Sequence, residues 1–87
     1  MLASVRMGVT LFVGNLPFKI SDEQFSEHFA SAGKVLEVTH IRQRNSKRSA
    51  GCGFVVMANS TDSRKAVEML NEIELEGRPL AVCLARP

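Results

Sequence analysis

Residues 51–57, Gly51-Cys52-Gly53-Phe54-Val55-Val56-Met57, decide how the rest of the chain is placed. The run holds no Pro and no charge, and its β-branched and aromatic side chains favour a strand. Successive side chains on a strand point to opposite faces. Gly53, Val55 and Met57 therefore form one set, suited to a core, and Cys52, Phe54 and Val56 form the other. A Phe ring turned away from the core is costly unless something binds there, and it is the first sign of a face kept for a ligand.

Just upstream lies a loop with four bases, Arg42, Arg44, Lys47 and Arg48, and no acid. Before it, Val35 to Ile41 reads as another strand, with Val38 and His40 inward and Thr39 and Ile41 on the other side. Further back, Ser21 caps a helix and Gln24, three residues on, completes a capping box. Ile20 and Phe25 staple that cap, and Phe25 and Phe29 share one helix face. Gly33 is the expected left-handed terminator. Val9 to Gly14 is the first strand, with Leu11 and Val13 inward and Phe12 outward, closed by Asn15, Leu16 and Pro17 as turn residues. Residues 1–8 are expected to be a flexible leader, and residues 9–87 a single domain.

Downstream, Asn59 or Ser60 opens a second helix, with Ala66, Val67 and Leu70 inward and Arg64 and Glu68 paired on its surface. A Gly77-Arg78-Pro79 turn leads to a last strand, Leu80 to Leu84. There Leu80, Val82 and Leu84 point inward, and Ala81 and Cys83 outward. The resulting order, βαββαβ, is the split βαβ arrangement. It predicts an α+β, ferredoxin-like sandwich: a four-stranded antiparallel sheet in the spatial order 4-1-3-2, with both helices on one face. The other face is bare and carries Phe12 and Phe54.

With 87 residues, 45% hydrophobic and 23% charged, the chain fits one globular domain. A formal net charge of +2 is too small to make the whole surface basic, so the loop holding Arg42 to Arg48 is the local electropositive feature. Acids gather elsewhere, at Asp22, Glu23 and Glu27 and at Glu68, Glu72, Glu74 and Glu76. No apolar run approaches the ~20 residues that span a bilayer, and the first residues lack a signal peptide's apolar stretch. The expected setting is intracellular, with nucleus, cytoplasm and organelle interior all open.

Cys52 and Cys83 have no zinc or redox spacing. On strands separated by an intervening one they stand about 9–10 Å apart, beyond the about 7 Å that a disulfide tolerates. Both are expected as free thiols. His28 falls on the exposed side of the first helix and His40 on the inner side of its strand. Neither has a partner at metal-ligand spacing, so no metal and no other cofactor is expected.

Leu11-Phe12-Val13-Gly14-Asn15-Leu16 resembles the strand-1 hexapeptide of RNA-recognition-motif domains. Ala50-Gly51-Cys52-Gly53-Phe54-Val55-Val56-Met57 resembles their strand-3 octapeptide, Lys/Arg-Gly-Phe/Tyr-Gly/Ala-Phe-Val-any-Phe/Tyr. The likeness covers essentially residues 10–86, including Gly33-Lys34-Val35 and Leu75-Glu76-Gly77-Arg78-Pro79-Leu80. It implies that unpaired bases stack on Phe12 and Phe54. It also implies that Arg42, Arg44, Lys47 and Arg48 clasp the phosphate backbone, and that the segment after the last strand, with Arg86, adds contacts. Asn15, Thr39, Ile41, Cys52, Val56 and Cys83 complete the RNA-facing set it implies. Three positions depart from the octapeptide. Ala50 lacks the first cation, Cys52 replaces an aromatic, and Met57 replaces the last aromatic on the core side. The first two imply weaker binding or an altered footprint.

Two other readings compete with this one. One subfamily docks proteins through an Arg-any-Phe motif after helix 2, but the matching Arg78-Pro79-Leu80 has no Phe. The open face could still seat a protein, since Cys52, Val56, Ala81 and Cys83 make it apolar. Acylphosphatase-type catalysis needs an Arg in a phosphate cradle after strand 1, and none lies between Gly14 and Ile20. No nucleophile–base pair is visible, so no catalytic residue is expected. Phe18 is expected at the domain edge. The expected function is single-stranded RNA binding by a monomer, with proteins of a ribonucleoprotein as further partners and no membrane.

Overall fold

The structure, a computed structural model, describes residues 8–17, 19–41 and 51–85. Its elements follow the order β1 (Val9–Leu16), α1 (Asp22–Ala30), β2 (Val35–Ile41), β3 (Gly51–Met57), α2 (Ser60–Leu70), β4 (Glu74–Leu75), β5 (Arg78–Pro79) and β6 (Ala81–Leu84). The long strands form one antiparallel sheet in the order β2-β3-β1-β6, which is the expected 4-1-3-2 with β6 as fourth strand. The short β4 and β5 pair separately as a hairpin.

The helices start where the sequence caps them. The Ser21 hydroxyl accepts the Gln24 N–H at 3.0 Å, and the Gln24 side-chain oxygen accepts the Ser21 N–H at 3.1 Å. Asn59 caps α2, its side-chain oxygen accepting the Asp62 N–H at 2.8 Å. Phe25 and Phe29 of α1 and Ala66 and Leu70 of α2 enter one core cluster with Leu11, Val13, Val55, Met57 and Val82 of the sheet. Both helices therefore cover the same face. Phe25 and Phe29 meet edge to face, 5.6 Å between centroids, an arrangement that adds to the burial of two large rings.

Several expectations need correction. Gly33 does not terminate α1 in the left-handed region; the helix ends at Ser31 in the right-handed region. A Cβ on Gly33 would lie 2.6 Å from that of Asp62, whose carboxylate accepts the Lys34 N–H at 3.0 Å. Close approach, not handedness, is what calls for glycine there. The first strand does not stop at Gly14 but runs to Leu16 through a bulge. Arg78 and Pro79 are not a turn but the second arm of the hairpin. The last strand begins at Ala81, not Leu80. Leu84 pairs with buried Leu11 and so faces the helix side, yet it is 48% exposed because it sits at the sheet edge beside α2. Val38 is half-buried, packed against the core rather than inside it. His28 is partly buried rather than exposed, its ring edge-on to Phe29 with centroids 5.8 Å apart.

Candidate nucleic-acid interface

Strand register sets the site. Thr39 pairs with Phe54, Phe54 with Phe12, and Phe12 with Cys83, so one row crosses all four strands on the face opposite the helices. The two rings at its centre stand edge to face, 5.6 Å between centroids and inclined by 65°. Both are partly exposed, so each offers π-surface to solvent. Their neighbours in sequence, Leu11, Val13, Gly53 and Val55, are buried, as alternation requires.

A second row holds Glu37, Val56 and Thr10. At the opposite end Ile41 pairs with Cys52, and Gly14 with Ala81. This is also the end where the basic loop departs, between Ile41 and Gly51. Arg42, Arg44, Lys47, Arg48 and Arg86 lie outside the described residues, as do Phe18 and residues 1–7. Cys52 and Cys83 are free thiols. Of the implied RNA-facing set, the sheet thus brings Phe12, Thr39, Ile41, Cys52, Phe54, Val56 and Cys83 onto one surface.

Asn15 sits differently. The β1–β3 register jumps from Val13 opposite Gly53 to Leu16 opposite Gly51, leaving Gly14 and Asn15 opposite Cys52 alone. Such a bulge needs a residue that tolerates unusual backbone angles, and Asn15 supplies it with φ of 61°. Its amide nitrogen donates to the Pro79 carbonyl at 2.7 Å, and its side-chain oxygen accepts from Arg78 at 2.8 Å. The Asn15 amide is occupied in tying β1 to the hairpin.

The reading from sequence left out Leu36 and Glu37. Glu37 pairs with Val56 in regular register, while a second bulge between Val35 and Glu37 leaves Leu36 46% exposed. A signal for it existed. Val35 and Val38 both pack on the core although three residues apart, which a regular strand does not allow. Glu37 puts a carboxylate at the end of the face away from Ile41 and Cys52. Among the described residues, no three His, Cys, Asp or Glu side chains could hold a metal ion, and no helix is long and apolar enough to cross a membrane.

The chain resembles known proteins in sequence and in fold. The chain is 43% identical over 77 residues to a 28 kDa chloroplastic ribonucleoprotein of Spinacia oleracea, a match covering 88% of this chain but only 33% of that protein. Among solved structures, RNA binding protein PG1 superposes with a TM-score of 0.77 at 36% identity, over 91% of this chain and 98% of that one. A Sxl-lethal protein/RNA complex superposes with a TM-score of 0.77 at 32% identity, over 88% and 47% of the two chains. Residues 11–81 match the RNA recognition motif family, and the chain belongs to it.

Proposed function

We propose that this domain binds single-stranded RNA on its open sheet face, by stacking bases on Phe12 and Phe54 and holding phosphates with the basic loop at Arg42, Arg44, Lys47 and Arg48. The observation that carries the reading is the Thr39–Phe54–Phe12–Cys83 row, with two partly exposed rings at the centre of an uncovered sheet. Unpaired bases stack on aromatic side chains for roughly 1–3 kcal/mol each. Stacking alone distinguishes bases weakly, so the affinity expected is sequence-tolerant. Membership of the RNA recognition motif family and the Sxl-lethal protein/RNA complex among its structural relatives support RNA as the ligand.

The domain is read as a binding unit and not an enzyme, acting as a monomer beside other proteins of a ribonucleoprotein. The chain spans about a third of the length of its spinach relative. Chloroplastic relatives favour an organelle interior among the compartments left open by sequence.

A chemical-shift titration with short single-stranded RNAs tests the proposal. Shifts are expected along Thr39, Phe54, Phe12 and Cys83. Shifts confined to the helical face, or none at all, would overturn it, and capture of a protein by the sheet face instead would establish the docking alternative.

A further inference from the structure

Where β1 hands over to α1, the surface holds a cleft of about 370 Å³ lined by Pro17, Lys19, Ile20, Gln24, Glu76 and Arg78. No role assigned above uses it. Its walls come from opposite ends of the chain, and the Arg78–Asn15 hydrogen bond of 2.8 Å joins them to the sheet. Asn15 follows Gly14, which pairs with Ala81 at the border of the open face. Through Arg78, the cleft is thus tied to Asn15 on the strand that carries Phe12. From Phe12 to Asn15, which holds the cleft's Arg78, is about 10 Å along the strand, a span of one or two nucleotides.

Its chemistry fits a compact anion. Lys19 and Arg78 are both exposed, and Arg78 gives one guanidinium nitrogen to Asn15 while a guanidinium carries five N–H donors. The Gln24 oxygen is engaged by the Ser21 N–H and hydroxyl, at 3.1 and 3.3 Å, which leaves the amide nitrogen as the atom it can donate from. Pro17 and Ile20, the apolar lining, are buried, so little surface remains for stacking a base. Glu76 is the single acid against two cations.

We propose that this cleft is a second phosphate site, taking a backbone phosphate of the same RNA strand where it leaves the sheet beside β1 and β6. The inference rests on the RNA reading above and extends its footprint beyond the sheet and the basic loop. The cations supply attraction, the planar guanidinium and the amide supply donors, and Glu76 limits affinity by repulsion.

The test measures affinity of the full chain for a short single-stranded RNA of degenerate sequence, by fluorescence anisotropy across a range of KCl. Lys19→Ala is expected to lower the log–log salt slope by about 0.7, the share of one phosphate contact on a single strand. Glu76→Gln is expected to tighten binding at low salt, by up to about fivefold. Lys65→Ala, on exposed α2 surface, is the control and should leave the slope unchanged. Parent-like behaviour of Lys19→Ala and Glu76→Gln overturns the cleft's role and leaves the sheet reading standing. An equal loss in Lys65→Ala also overturns it, since any surface charge would then count. A parent chain that binds no RNA overturns the sheet reading and the cleft together.

Discussion

Replacing Gly53 by Ala tests how tightly the sheet is packed onto α1. Gly53 lies mid-strand, opposite Val13 on β1 and His40 on β2. A Cβ added there would overlap the Thr39 carbonyl oxygen, and would stand 2.9 Å from the Phe25 ring and 3.2 Å from a Leu16 methyl. The oxygen belongs to backbone and cannot swing aside, while Phe25 and Leu16 are fully buried. Overpacking a filled core typically costs 1–3 kcal/mol, and the backbone overlap places this case near the top, at about 3 kcal/mol. For a domain of this size each kcal/mol moves Tm by roughly 4–8 °C, so Gly53→Ala should melt roughly 12–24 °C below the parent. Circular dichroism melts, with urea unfolding to confirm a two-state transition, measure the difference. A melting point within about 2 °C of the parent would refute the packing, since no accommodation of that carbonyl is free.

Asn15→Ala should cost about 2 kcal/mol in urea unfolding, combining a left-handed backbone with the lost hydrogen bonds to Pro79 and Arg78; Asn15→Gly should recover the backbone part only. Burial lowers the His28 pKa, so the neutral ring is favoured in the fold and the unfolded chain binds the proton first as pH falls. Stability should therefore drop as pH falls through the ordinary value of about 6.5 towards the lower folded value, and level off beneath it. Urea midpoints at neutral and mildly acid pH should differ less in His28→Gln; equal dependence in both proteins would acquit His28. Neutralising Arg42, Arg44, Lys47 and Arg48 together should cut the log–log salt slope for RNA by nearly 3, about 0.7 for each phosphate contact, for all RNA sequences alike; an unchanged slope would make the loop a bystander.

The regular parts of this fold were legible because local signals agreed. Ser21 and Gln24 spelled the capping box that forms, and alternation through Gly51–Met57 separated Phe54 from Val55 correctly. What the sequence hid were the places where alternation breaks. Val13 and Leu16 are both buried, as Val35 and Val38 both pack on the core, and each odd spacing marks a bulge. Treating those strands as regular ended β1 two residues early and turned Leu36 inward with Val38. Gly33 was misread because its neighbour, Asp62, comes from another helix. The same holds for Asn15, whose partners lie more than 60 residues along the chain. The motif marked Asn15 as RNA-facing, but only the folded hairpin shows its amide in use. The cleft at Lys19 and Arg78 escaped for that reason too, since topology alone brings its walls together.

The most direct measurement is RNA affinity of Phe12→Ala and Phe54→Ala beside their melting points. The two rings contact each other at 5.6 Å and are partly exposed, so each truncation forfeits an edge-to-face pair and little core. Folding stability should fall by only about 1 kcal/mol. Affinity for single-stranded RNA should fall by roughly 1–3 kcal/mol per ring, about five- to 150-fold. Both variants binding RNA as the parent does, while remaining folded, would contradict stacking on this face.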